Sequence, residues 1–314
     1  MHTLEKYQVI DVSDFDLDII MAICGESDRN LELIGNKLGC KVYLEDDFIK
    51  TSRQETVARI SDIIKAFVSV YHDKGSLDYE DVTAIVVNQA ETGFYKEPII
   101  SAAGSRKFYL RTKGQKALYD AFRTHDITIV TGPAGTGKTF LAVVFACDML
   151  RKGKVRKIIV TRPVVEAGES LGFLPGDLKE KVDPYLRPIY DSFDAIFGNG
   201  SVERLMEKGV IEIAPLAYMR GRTLNDAVVI LDEAQNTTGM QMKMFLTRMG
   251  FNSRMIITGD VTQIDLPSHK ASGLKKAIQI VQGIEEIAVV EMHRDDVVRH
   301  PVVQKIIEAY EAEE

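Results

Sequence analysis

The chain has 314 residues, 45% of them hydrophobic, and a net charge of −7, enough for two globular domains and a sizeable core. Cys24, Cys40 and Cys147 are odd in number and lack Cys-x-x-Cys or Cys/His spacing, so neither a disulfide framework nor a zinc site is expected. No apolar run approaches the roughly 18 residues a membrane helix needs, and no basic stretch leads into an apolar one at the N-terminus, so a cytoplasmic protein without a membrane partner is expected.

Residues 15–25 and 29–39 have helical apolar spacing, CKVYLE alternates like a strand, and TSRQETVARISDIIKAFVSVYH is a strongly periodic helix that Thr51 or Ser52 could cap, with Glu55 completing the box. These elements predict a small α+β domain over residues 1–95. Its nine Lys and Arg face eighteen Asp and Glu, a balance of −9, so all of the chain's acidity lies here. The polar stretch 96–114 reads as a linker or short hairpin.

From residue 115 to 314 helical spans alternate with short β-rich runs: ITIVT (127–131), KIIVT (157–161), VIEIA (210–214), VVILD (228–232), MIITG (255–259) and IAVVEM (287–292). Continuous β-branched runs of this length predict an α/β fold whose parallel sheet is covered by helices on both faces. Such a sheet binds ligands beyond the carboxyl ends of its strands. This region also holds basic clusters, including Arg151, Lys152, Lys154, Arg156 and Lys157, which can meet phosphates or simply form a solvated face.

Between ITIVT and FLAVVFA stands GPAGTGKT: Gly132, Pro133, Ala134, Gly135, Thr136, Gly137, Lys138, Thr139. The pattern G-x-x-x-x-G-K-[ST] between a strand and a helix is a P-loop, in which small residues let backbone N–H groups turn inward and the helix N-terminus favours an anion. Lys138 would reach the β- and γ-phosphates, and the Thr139 hydroxyl would ligate Mg²⁺. In VVILDEAQ, Asp232 would hold the Mg²⁺ ion through water and Glu233 would polarise the attacking water. A carboxylate base beside the metal ligand favours hydrolysis over transfer to a metabolite. In ITGDVTQ, Asp260 and Gln263 leave the strand expected beside that of Asp232, and Gln263 could sense the γ-phosphate. Gln115, upstream of the loop, can pair through its amide with adenine, and no guanine-reading NKxD follows, so ATP is the expected nucleotide.

The stretches RTKGQKALYDAF, GPAGTGKTFLA, IIVTRPVVEAGESLGFLPGDLKEKVDPYLRPIYD, LAYMRGRTL, ILDEAQNTT, ITGDVTQIDLP and DVVRHPVVQKIIEAYE resemble the PhoH family of bacterial P-loop ATPases over nearly the whole chain. The resemblance implies a RecA-like P-loop NTPase core, similar to the motor of superfamily 1 helicases, behind a KH-like N-terminal module. In that comparison Gln115 stands at the adenine-reading Gln, TRP (161–163) resembles motif Ia and GDVTQ motif III. A second RecA-like lobe is not expected after residue 292, so a transition-state arginine would come from another protomer: Arg299 is the candidate, with Arg294, Arg220 and Arg222 as rivals. The resemblance likewise implies a hexameric ring, action on single-stranded or structured RNA, and an endoribonuclease partner. The KH-like module offers CGESD and LIGNK in place of a GxxG loop, so protein docking or ring assembly competes with RNA binding there. The segment GESLGFLPGDLKEKVDPYLRPIYD is too rich in Gly and Pro for one helix. With the LAYMRGR loop it is expected either to line an RNA path through Arg187, Arg220 and Arg222 or to pack subunits. A nucleotide-dependent switch that recruits a protein partner and a small-molecule phosphotransferase are the alternative functions.

Overall fold

Residues 7–88, 99–101, 107–163, 178–198, 200–267, 271–298, 302–303, 306 and 309–310 are described by a computed structural model of the chain. Two units divide it: Met1–Pro98 with Tyr109–Lys113 and Val298–Glu314, and Ile99–Phe108 with Gly114–Val297.

The first unit runs β1 (Tyr7–Asp11), α1 (Leu17–Cys24), α2 (Arg29–Leu38), β2 (Val42–Glu45), β3 (Phe48–Thr51), α3 (Val57–Lys74) and α4 (Tyr79–Asn88). Its antiparallel sheet has the order β1-β3-β2, so the unit is the small α+β arrangement expected of the N-terminal part of the chain. Helix α3 forms because Ile60, Ile63, Ile64, Phe67 and Val70 recur at helical spacing and all are buried. It begins later than the expected caps. Thr51 closes β3, Ser52 Oγ accepts the Lys41 N–H at 2.9 Å, and a 3₁₀ turn over Gln54–Thr56 makes Thr56 the N-cap residue.

The two stretches offered in place of a GxxG loop fold differently. LIGNK is inside α2, where a Cβ on Gly35 would lie 2.6 Å from the Cys40 carbonyl. CGESD turns from α1 into α2 with Ser27 and Asp28 at positive φ, and it exposes Glu26 and Asp28, which repel a nucleic-acid backbone. In the same unit the fully buried side chain of Asp81 pairs with Lys74 and, at 3.4 Å, with Arg111. Burial pushes its carboxyl up, against the pull of the two cations.

The second unit starts with the antiparallel pair β4 (Ile100–Ser101) and β5 (Lys107–Phe108), so the stretch read as linker or hairpin contains a hairpin. There follow α5 (Lys113–Thr124), β6 (Ile127–Thr131), α6 (Lys138–Arg151), β7 (Lys157–Arg162), α7 (Leu178–Phe197), α8 (Ser201–Glu207), β8 (Ile211–Pro215), β9 (Ala227–Leu231), α9 (Gly239–Leu246), β10 (Arg254–Gly259), α10 (Gly273–Val281) and β11 (Ile287–Glu291). The last six strands are the six β-rich runs of the sequence to within a residue, and all pair in parallel in the order β11-β6-β10-β9-β7-β8. Every residue of β6 and β9 is buried, as a doubly covered sheet requires. Strand β10 separates the P-loop strand β6 from β9, which ends at the paired carboxylates; this insertion defines the RecA-like order within P-loop folds.

The described part of the segment read as too rich in Gly and Pro for one helix begins at Leu178. Helix α7 is a single 20-residue helix through Pro184 and Pro188, despite the Pro-rich sequence. Leu186, Ile189, Phe193 and Ile196 are buried at helical spacing, and α7 packs on α6, so side-chain burial outweighs the lost backbone hydrogen bonds. Gly168–Asp177 of that segment, with all three of its glycines, lies outside the described residues. Among the described residues no helix is long and apolar enough to cross a membrane.

Candidate nucleotide-binding site

Because all six strands are parallel, their carboxyl ends open on one edge, and a cleft of about 350 Å³ lies there, lined by the P-loop, Asp232, Glu233, Asp260 and Gln263. The loop's glycines are there for backbone reasons. Gly132 has φ +145°, and a Cβ on it would stand 2.4 Å from the Met292 carbonyl oxygen. Gly137, at φ +86°, turns the chain into α6 as its N-cap residue. The buried Thr136 ties the loop through its hydroxyl to the Pro133 carbonyl at 3.0 Å. Lys138 folds over the loop, its Nζ donating to the carbonyls of Gly132 at 2.7 Å and Pro133 at 2.8 Å.

Strand register then sets the opposite wall. Leu231 is level with Thr161 on β7 and with Ile257 on β10, so the next residues, Asp232, Arg162 and Thr258, leave three adjacent strands at one height. Asp232 Oδ1 accepts from Thr139 Oγ1 at 2.7 Å and from Thr258 Oγ1 at 2.6 Å. Glu233 stands at φ +53°, a conformation that turns its side chain away from the strand line. Arg162 pairs with Glu233 Oε1 at 3.2 Å, while Gln235 Nε2 donates to Oε2. The other end of the Gln235 amide accepts the Asp260 N–H at 3.0 Å, so the β9 and β10 ends are joined. Asp260 Oδ1 accepts from the Thr262 N–H and hydroxyl, whereas its buried Oδ2 has no hydrogen-bond partner among the described residues.

The structure therefore brings Lys138, Thr139, Asp232, Glu233 and Gln263 around one cleft. Gln263 is exposed, on a turn held by its backbone N–H to the Asp260 carbonyl at 3.1 Å. Gln115 is buried against the loop, with Nε2 donating to the Thr136 carbonyl at 3.2 Å. Of the arginines proposed for phosphates, Arg222 is committed to Glu212, with NH2 at 2.8 Å from Oε2. Arg187, Arg220 and Arg294 are exposed, and Arg299 lies outside the described residues.

Sequence reading missed Arg162, Thr258 and Gln235 as site residues. Arg162 and Thr258 sit at or next to the carboxyl end of a strand flanking β9, and that position is the signal that could have found them. The donors in the cleft are hydroxyl and carboxylate oxygens, the set a hard cation such as Mg²⁺ takes, and Asp260 Oδ2 is a buried acceptor still to be satisfied. Among the described residues no group of three or more His, Cys, Asp or Glu side chains could hold a metal by itself.

A family model described as PhoH-like protein matches residues 107–311. This chain belongs to the PhoH family. It is 50% identical over 301 residues to a PhoH-like protein of Bacillus subtilis (strain 168), covering 94% of each chain. A PhoH-like protein of Synechocystis sp. is 43% identical over 302 residues, covering 94% of this chain and 92% of that one. Protein PhoH of Escherichia coli (strain K12) is 46% identical over 202 residues, 64% of this chain and 57% of that one. The residues matched by the family model include the P-loop and the other residues that line the cleft.

Proposed function

We propose that this PhoH-family protein hydrolyses ATP with Mg²⁺ and couples the hydrolysis to binding and remodelling RNA. The observation that carries the reading is the convergence of Thr139 and Thr258 on one oxygen of Asp232, beside Glu233 and facing the lysine of a P-loop.

Thr139 and Asp232 would hold the metal ion, which when bound offsets the negative charge of the phosphate oxygens. Lys138 moves from the Gly132 and Pro133 carbonyls to the β- and γ-phosphates, exchanging neutral acceptors for charged ones. Glu233 orients a water molecule. As the water oxygen bonds to the γ-phosphorus, the bond to the β–γ bridging oxygen breaks, the water's proton passes to the Glu233 carboxylate, and ADP leaves with the bridging oxygen. Gln263, on the rim, contacts the γ-phosphate or the water. Gln115, anchored to the loop, reads the adenine.

RNA is proposed from the family resemblance and from the exposed Arg187 and Arg220, while the acidic α1–α2 turn directs RNA away from the KH-like module. Arg222, paired with Glu212, would have to exchange that partner to contact a phosphate. A hexameric ring, an arginine supplied in trans by Arg299 or Arg294, an endoribonuclease partner and a cytoplasmic location complete the proposal. The engagement of Glu233 by Arg162 and Gln235 supports a second reading, a slow switch that recruits a protein partner while ATP is bound.

Steady-state hydrolysis by wild-type protein and Glu233→Gln, with and without single-stranded RNA, decides between them. The first reading expects RNA-stimulated phosphate release that falls by about 100-fold or more in the variant while nucleotide still binds. Slow release that RNA does not change supports the switch.

A further inference from the structure

The pairing of the base with an arginine inside the nucleotide cleft has a consequence of its own. Arg162 ends β7, Glu233 follows β9, and the register that sets Thr161 level with Leu231 makes them neighbours across adjacent strands. The guanidinium lies 3.2 Å from Glu233 Oε1, with Gln235 on the other oxygen, so both oxygens of the carboxylate are already engaged. A water that is to reach this carboxylate must first displace one of its two partners. Arg162 also lines the same cleft as Lys138, Thr139 and Gly137. The cation that restrains the base is therefore within the cavity that would receive the phosphate chain.

We propose that Arg162 senses the γ-phosphate and unlocks Glu233: its guanidinium leaves the Glu233 carboxylate for a γ-phosphate oxygen, which frees the carboxylate to take a proton from water. This rests on the ATPase reading of the site. Arginine suits the task because its fork bonds carboxylate and phosphate with the same geometry. ADP offers no γ-oxygen, so with ADP bound the Arg162–Glu233 pair persists and the base stays engaged. A ligand shifts such an equilibrium only by its differential affinity for the two states, so the exchange must appear in binding as well as in turnover.

The test is calorimetric titration of the β,γ-imido analogue of ATP and of ADP, both with Mg²⁺, into wild type, Glu233→Gln, Arg162→Met and the double variant. In wild type, part of the analogue's binding energy is spent on parting Arg162 from Glu233. Glu233→Gln is expected to tighten the analogue by about 5- to 10-fold with ADP affinity unchanged. In the double variant that gain is expected to vanish. Arg162→Lys, which keeps the charge without the fork, is expected to fall between wild type and Arg162→Met.

The proposal is overturned if Glu233→Gln shifts analogue and ADP affinity alike. It is overturned equally if the gain survives in the double variant, because the carboxylate would then act by plain repulsion of the phosphate. ADP binding reports an intact P-loop in each variant. If wild type binds neither nucleotide, the ATPase reading itself fails, which is a different result from either of these.

Discussion

Thr139, the last residue of the glycine-rich motif, donates its hydroxyl to Asp232 Oδ1 at 2.7 Å across 93 positions of sequence. That bond links the two halves of the site, the loop after β6 and the acidic end of β9, although β10 runs between them in the sheet. Strand β10 contributes as well: the hydroxyl of Thr258 reaches the same oxygen at 2.6 Å and sets the direction in which the carboxylate faces.

Thr258→Val keeps the shape of a buried strand residue and removes one of the two hydroxyls on Asp232. The Mg²⁺ concentration for half-maximal ATP hydrolysis should rise about 10-fold, the usual effect of losing a partner that orients a metal ligand. ADP binding measured without Mg²⁺ should be unchanged. A parallel loss of both would mean that Thr258 supports the fold instead of orienting the carboxylate.

Gly132→Ala should be severe. The substitution puts a Cβ 2.4 Å from the Met292 backbone at a φ of +145°, so neither rotamer change nor a small shift relieves it. We expect a loss of about 2–4 kcal/mol in urea unfolding of the P-loop unit. Gly153→Ala, at φ +64° with nothing within 4 Å of the added atom, should cost only about 1 kcal/mol.

The hydrogen bond from Arg222 holds Glu212 below its ordinary 4.5, with burial opposing. A carboxyl whose folded value is depressed contributes stability above its unfolded value and loses it as pH falls through the folded one. Both side chains are about one-third exposed, so the contribution is small, about 0.5 kcal/mol. Glu212→Gln should therefore be slightly less stable than wild type at pH 7, and the gap should close as pH falls through the lowered folded value in urea titrations. A gap that persists at acid pH would assign the effect to packing.

Gln115→Ala removes the amide that donates to the Thr136 carbonyl. If Gln115 both braces the loop and reads the base, KM for ATP should rise and the preference for ATP over GTP should fall together. A rise in KM with the preference intact would leave only the bracing role.

The six parallel strands were legible because each is a short, continuous β-branched run, and the P-loop because its glycines and lysine have a fixed spacing between a strand and a helix. Asp232 and Glu233 followed from their place at the end of such a run. The partners of these residues were not legible. Arg162 and Thr258 meet the acidic pair only through sheet order and register, which composition does not encode. The continuity of α7 through Pro184 and Pro188 was also hidden, because the burial of Ile189, Phe193 and Ile196 that sustains it is a tertiary fact. At Thr51, a strand end claimed a residue that local rules offered as a cap.

The central claim is that a triphosphate and its magnesium ion lodge between the P-loop and the end of β9. A crystal structure with Mg²⁺ and the β,γ-imido analogue of ATP tests it most directly. The account predicts Lys138 Nζ on the β- and γ-phosphates instead of the Gly132 and Pro133 carbonyls, with the metal ion facing Thr139 and Asp232. Analogue bound elsewhere, with Lys138 still on the loop carbonyls and Thr139 still on Asp232, would contradict it.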